Sequence, residues 1–394
     1  MSSEGLPLPR RRLVLSILIV ALSTQPVFLL AASFLQLEAD IGLSITGLGA
    51  LTAAFFLTAA VASAPLGRVV ERIGWQRAMK INCVGSAAVL VAIALFARGV
   101  AVFVALLVLA GAAYGLANPA ANKALAEQVD ASRRGITFGL KHAGIPASTL
   151  LAGLAVPVLI LTVGWQFSFA FAALLAGAVW VLVATDRDPP LHEAGSSTPG
   201  RSALTTVDLA TLAGASALST AAAISLGTFL VVASVEEAAL SEAQGGMLLF
   251  AGSLASIVAR VIVGAITDRV GGRGFIGLTV LMGTGSLVFL LLSPATGLVF
   301  AMLVMAAFAT GWGWAGLMTF TVVNANASTV AASSGITQAG IFLGAGLGPI
   351  VLGWTIENTS FAVSWALVSV SLLIAAAIIV VVGRRTSRHA EPAT

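Results

Sequence analysis

A chain of 394 residues that is 58% apolar and only 9% charged cannot cover itself with polar surface; soluble domains carry about 25% charged residues. A mean hydropathy of +1.03 makes lipid its main solvent, which excludes a soluble enzyme. The pI of about 10.0 therefore does not signal nucleic-acid binding; it comes from the charge bias of the loops described below.

Residues 1–12 form a basic N-terminal tail ending in Arg10, Arg11 and Arg12. A helix needs about 20 apolar residues to cross about 30 Å of hydrocarbon. Twelve runs meet that length: 13–36, 46–66, 78–97, 101–125, 135–162, 167–185, 208–231, 244–264, 274–293, 297–322, 335–356 and 360–382. The first resembles a signal peptide, but no small-residue cleavage site follows it, so it is read as an uncleaved span. The runs are too long and too free of alternation for barrel strands, and in lipid only helices then satisfy the backbone. Cys83 stands alone in the third run, which rules out an internal disulfide and reads as helix packing. The longest polar stretch, "DRDPPLHEAGSSTPGRSALTTV" (186–207), is a linker at mid-chain. His192 within it has no partner cluster and no assigned role. The expected organisation is a tail (1–12), a six-helix bundle (13–185), a cytoplasmic linker (186–207), a second six-helix bundle (208–382) and a C-terminal tail (383–394).

Lys and Arg set the orientation. With the N-terminus inside, seventeen fall in cytoplasmic segments and one, Arg98, in an outer loop. The outer loops carry Glu38, Asp40, Glu236, Glu237, Glu242 and Glu357 instead. The prediction is a multi-pass protein of the cytoplasmic membrane with both termini in the cytoplasm.

"GRVVERIGWQR" (67–77) and "GAITDRVGGR" (264–273) share one skeleton of Gly, acid, Arg and Gly. Gly67 and Gly264 are 197 positions apart, half the chain. "GIT" recurs likewise at 135–137 and 335–337, each time opening a span. The chain thus reads as an all-α duplicated unit, two pseudo-symmetric six-helix bundles. Bundles related by an axis along the membrane normal enclose a cavity that opens alternately to each side. The glycines allow close helix contact and a sharp exit. Glu71 and Asp268 can accept from helix N-termini or pair with arginine.

Both stretches resemble the cytoplasmic loop motif of the major facilitator superfamily, Gly-x-x-x-Asp-Arg-x-Gly-Arg-Arg, in the loops after spans 2 and 8. Through span number, linker and loop position the resemblance covers the whole chain. It implies a cytoplasmic gate of Gly67, Glu71, Arg72, Gly74 and Arg77 with Gly264, Asp268, Arg269, Gly271 and Arg273. The sequence departs from the motif at Glu71 in place of Asp, at Trp75 in place of Arg, and at Gly272 in place of Arg.

Ionisable groups inside a span are costly, about 2.5–3.5 kcal/mol for Lys or Arg at the centre. Apart from gate loops and helix ends there are three: Lys141 and His142 in span 5 and Arg260 in span 8. At 1.5 Å per residue Lys141 lies roughly 9 Å and Arg260 roughly 12 Å from the cytoplasmic ends of their spans. The resemblance implies that spans 5 and 8 face each other between the bundles, so both cations would flank one cavity. No acid lies at their depth. Two like charges roughly 8 Å apart repel by about 2 kcal/mol at an effective dielectric of 20. The simplest counter-ion is the cargo, which predicts a small organic anion, a carboxylate: Arg260 would clamp it and Lys141 supply a second charge. "ARVIVGAITDR" (259–269) also resembles span 8 of monocarboxylate porters and oxalate–formate antiporters, in which an Arg four residues before a Gly binds the carboxylate; Arg260 alone carries over.

Span 8 continues a polar stripe through Ser253, Ser256, Gly264 and Thr267, and span 4 carries Gly111, Tyr114, Asn118 and Asn122. Tyr114, Asn118, Gln25 in span 1 and Gln338 in span 11 are candidate substrate contacts, each with interhelical bonding as the competing reading. Trp312 and Trp314 in span 10 read as packing. His142, with an unperturbed pKa of about 6.5, is the candidate proton carrier; anion exchange, which needs no titrating group, is the other route. The sequence also leaves open a drug or natural-product exporter of the same superfamily. Against it, "GIPASTLLAGLAVP" in span 5 matches the exporters' Gly-Pro-rich motif poorly, and "GAGLGPIVLG" (344–353) matches in the wrong half. A non-transporting receptor is the remote alternative; no catalytic constellation, metal cluster or phosphate loop supports a membrane enzyme. The expected partners are the bilayer, one small anionic molecule, and a proton or counter-anion, with no cofactor, no nucleic acid and a monomeric chain.

Overall fold

The computed structural model describes residues 10–126, 139–186, 204–270, 274–326 and 330–390. Among these residues twelve helices are long and apolar enough to cross a membrane. The first half contributes α1 (Arg10–Ala32), α2 (Ile45–Ile73), α3 (Trp75–Phe96), α4 (Val100–Ala126), α5 (Gly139–Val163) and α6 (Trp165–Ala184). The second contributes α7 (Thr206–Glu236), α8 (Glu242–Val270), α9 (Gly274–Leu292), α10 (Gly297–Ala325), α11 (Val330–Asn358) and α12 (Phe361–Ala390). A short helix, Phe34–Ile41, follows α1.

Local chemistry sets the helix ends and breaks. Ser44 caps α2 by accepting from Gly47 N at 3.0 Å. Thr205 and Asp208 form a reciprocal capping box at the start of α7. Gly74, at φ +82°, is the single residue between α2 and α3, a backbone geometry that side chains disfavour. The predicted fifth span is not one straight helix. His142 and Ala143 form a turn, because Pro146 has no N–H to offer the His142 carbonyl. A π-helical turn at Val156–Ile160 contains Pro157 for the same reason. The tenth span breaks at Trp312 and Gly313, between Gly297–Gly311 and Trp314–Ala325. The expected C-terminal tail from 383 is also partly helical: α12 runs to Ala390, as neither Gly nor Pro interrupts residues 384–390. Most of the expected 186–207 linker lies outside the described residues.

The helix pairings repeat between halves. In the first, α1 packs on α5, α2 on α4 and α3 on α6; in the second, α7 packs on α11, α8 on α10 and α9 on α12. The halves then meet through two symmetry-related seams, α2 with α11 and α5 with α8. The best windows of α1 and α7 are 83% buried, against 39% or less for α3, α6, α9 and α12, so the first pair is central and the others face lipid. The duplication extends to an ion pair with exchanged signs. Arg11 and Arg12 at the start of α1 meet Asp186 after α6, at 3.5 and 3.6 Å. Asp208 at the start of α7 meets Arg385 late in α12, at 3.8 Å.

Glycines let the seams close on the acidic face, the one opposite the chain ends. A Cβ at Gly49 would lie 2.3 Å from the Pro349 carbonyl oxygen, and one at Gly153 2.6 Å from the Gly246 carbonyl oxygen. Two polar contacts cross there as well. Gln36 donates to Glu242 at 2.6 Å, and the Thr46 hydroxyl donates to the Glu357 carboxylate.

Candidate functional site

Lys141 on α5 and Arg260 on α8 come from opposite halves, and both are buried, at 7% and 5% exposure. His142 directly follows Lys141 on α5. The two helices approach closely at this level: a Cβ at Gly139 would sit 2.9 Å from the Arg260 carbonyl oxygen. Lys141 and His142 thus lie on one helix, and Arg260 on the other helix, of the same seam. Among the described residues neither cation forms an ion pair with a carboxylate.

The breaks in α5 and α10 shape the surroundings. The turn in α5 presents His142 to α10, where its Nε2 lies 3.1 Å from Thr319 Oγ1 across the two halves. The break in α10 turns Trp312 inward: its indole N–H donates to the Ala223 carbonyl on α7, and its ring lies 5.2 Å from Phe308. The Arg260 guanidinium carbon is 6.0 Å from the Trp312 ring, at the outer edge of cation–π range. Arg260 NH1 donates to the Ser256 hydroxyl and lies 3.3 Å from the Ser256 carbonyl oxygen, while Nε is buried without a partner. Thr149 and Ser253 add a hydroxyl pair across the same seam at 2.7 Å.

The other predicted contacts lie elsewhere in the bundle. Tyr114 is 2% exposed and packs among Phe55, Phe56 and Phe342, with ring centroids 5.5, 6.2 and 6.1 Å away. Its hydroxyl accepts from Asn118 Nδ2 at 3.0 Å, so these two candidates bind each other. Gln25 donates to the Ser148 carbonyl at 3.1 Å within the first half. Gln338 is half-buried on α11. Trp314 is buried in a second-half core with Leu278, Met282 and Ile379.

In the first of the two motif loops, Lys123 of α4 reaches the Glu71 carboxylate at 2.7 Å and the Glu71 carbonyl at 3.1 Å. The acid of this motif is therefore tied within its own half. A Cβ at Gly67 would make ordinary contact with the Pro119 ring at 3.8 Å. Arg72 and Arg77 are exposed, as are Asp268 and Arg269 near the end of α8, whereas Gly264 is buried. Gly271 and Arg273 lie outside the described residues. The sequence reading missed Thr319 and Thr149. A hydroxyl inside an apolar helix usually satisfies itself on the preceding turn, as Thr319 does with Ala315 O at 3.1 Å, so its type carried little signal.

Twelve membrane helices in two related halves, meeting at two seams around a buried polar centre, define the alternating-access transporter class of membrane protein. The family model of the Major Facilitator Superfamily matches residues 13–236 and again 209–394, and the chain belongs to that superfamily. It is a multi-pass membrane transporter rather than an enzyme. The crystal structure of the human organic anion transporter MFSD10 (TETRAN) superposes with a TM-score of 0.73 at 16% identity, covering 95% of this chain and 100% of that one. At that identity the likeness concerns the fold. No curated protein sequence matches the chain.

Proposed function

We propose that this transporter moves a small organic anion, a carboxylate, across the cytoplasmic membrane, with its basic face and both chain ends in the cytoplasm. One observation carries the reading: two buried cations, one from each half, lie on the two helices of one seam and have no carboxylate partner among the described residues. Uncompensated buried charge is costly, and an anion lodged between the halves neutralises it. Arg260 binds the carboxylate, and Lys141 contributes charge from the opposite wall. Release toward the cytoplasm requires the His142–Thr319 contact to part, which places His142 where its protonation would respond to the cycle. Coupling runs through that proton or through exchange for a second anion. The loops around Glu71 and Asp268 act as the cytoplasmic gate.

The test is thermal stabilisation of the purified full-length chain by sodium acetate, lactate, oxalate, succinate and benzoate, followed by uptake of any hit into proteoliposomes. A carboxylate should stabilise the wild type and fail with Arg260→Ala, and transport should follow the same pattern. A hit that survives both Arg260→Ala and Lys141→Ala, or stabilisation by cations alone, refutes the proposal.

A further inference from the structure

A guanidinium offers a carboxylate two bidentate edges: the end formed by NH1 and NH2, and the side formed by Nε and NH2. In Arg260 the end is already used. NH1 donates to the Ser256 hydroxyl and lies 3.3 Å from the Ser256 carbonyl oxygen, one turn back on the same helix. Nε is buried with no hydrogen-bond partner, and NH2 makes no hydrogen bond among the described residues. The Trp312 ring lies beside the group, 6.0 Å from the guanidinium carbon. Trp312 is itself fixed by its N–H bond to the Ala223 carbonyl and by Phe308.

We infer that Arg260 presents its Nε–NH2 side edge to the cargo, and that Ser256 and Trp312 are the positioning residues that select this edge. The inference rests on the reading of Arg260 as the anion-binding group. It narrows the ligand to a head group with two oxygens in one plane, spaced to accept two parallel N–H bonds. A halide or another single-atom anion cannot use both donors. Ser256, Arg260, Trp312, Ala223 and Phe308 all belong to the second half, so rocking of the halves carries the edge as one rigid piece. Lys141 and His142 belong to the first half, so they change distance to the bound head group during the cycle while Arg260 does not.

The experiment measures dissociation constants of the purified full-length chain for the best-binding member of sodium acetate, lactate, oxalate and benzoate, with sodium chloride as the single-atom comparison. Variants are Arg260→Ala, Arg260→Lys, Ser256→Ala, Ser256→Thr and Trp312→Phe, each checked for an unchanged melting temperature without added anion. A hydrogen bond to a charged group is worth about 10-fold or more. Arg260→Lys, which keeps the charge and removes the edge, should therefore lose about as much affinity as Arg260→Ala. Ser256→Ala should weaken carboxylate binding severalfold, and Ser256→Thr, which restores the hydroxyl, should recover it; a merely structural serine would not show that rescue. Chloride should compete poorly throughout. If Arg260→Lys binds like the wild type while Arg260→Ala does not, Arg260 is a point charge; this inference fails and the anion reading stands. If Ser256→Ala has no effect, Ser256 does not select the edge and the inference fails. If no carboxylate binds the wild type, or Arg260→Ala binds normally, the anion reading itself fails.

Discussion

The seam glycines allow a test of alternating access without knowledge of the cargo. In Gly49→Ala the new methyl carbon would lie 2.3 Å from the Pro349 carbonyl oxygen, 2.9 Å from its carbon and 3.0 Å from Ile350 Cα. All three are backbone atoms of α11, so no side chain can rotate away, and α2 must separate from α11 by about 1 Å to reach ordinary contact. Overpacking of this kind costs about 1–3 kcal/mol. The cost falls only on states in which the acidic face is closed. The equilibrium should therefore shift toward opening on that face by about 5–150-fold, at tenfold per about 1.4 kcal/mol. The readout belongs at the other seam: Ser253, fully buried against Thr149, replaced by cysteine in a Cys83→Ser background. The labelling rate by a water-soluble thiol reagent should rise by about the same factor in Gly49→Ala. Gly177→Ala, where nothing lies within 4 Å of the added carbon, is the silent control. An unchanged rate at Ser253→Cys in a well-folded Gly49→Ala protein would show that the seams do not part together and would refute the two-body description.

The sign-exchanged ion pairs should differ sharply in worth. Arg12 and Asp186 have side chains 2% and 1% exposed, and breaking a buried pair costs about 3–5 kcal/mol, so Arg12→Ala should lie near the low end because Arg11 remains 3.5 Å from Asp186. Arg385 is 56% exposed opposite Asp208, and Arg385→Ala should cost about 1 kcal/mol or less; melting temperatures of the two variants that agree would contradict the burial argument. Gly74→Ala should lower stability by about 1–3 kcal/mol because φ is +82° with ψ 155°, a region open essentially only to glycine, and with open space around it the whole cost is backbone strain. An unaffected melting temperature would mean that the α2–α3 corner can relax.

The fold was legible because lipid imposes a length and apolarity on every span that composition alone reveals, and because a duplicated charged loop marks the halves. That Lys141 and Arg260 sit on the two helices of one seam follows from the span assignment together with the α5–α8 packing. What escaped was orientation around each helix axis. Tyr114 and Asn118 lie four residues apart on one face, which predicts a shared direction but not that they satisfy each other. Gln25 finds a backbone carbonyl on α5, a partner that no side-chain pattern encodes. The break at Trp312 follows a Gly on each side, yet its inward turn depends on an α7 carbonyl at Ala223, far away in sequence. Which polar residues lie inside spans was readable, whereas partner choice needed three dimensions.

The placement of the cations also bears on why cargo would drive the cycle. Helices α5 and α8 form a closing seam at Gly153 and Gly246 and carry Lys141 and Arg260 further along the same two rods. Without an anion, two positive charges from opposite halves repel; at an effective dielectric of 20 a pair brought to about 4 Å is opposed by about 4 kcal/mol, less at greater separation. An anion between them reverses the sign of that interaction, since each half is then drawn to the same negative group. On the proposed reading, cargo binding is worth more in the state that holds both cations close than in one that separates them. That difference is the condition for a ligand to shift a conformational equilibrium. A seam left with Arg260 as its single cation, as in a Lys141→Met variant, has no like-charge repulsion to neutralise; it should thus close without cargo and lose the dependence of Ser253→Cys labelling on added carboxylate. If that dependence persists unchanged in Lys141→Met, charge neutralisation is not what links binding to closure.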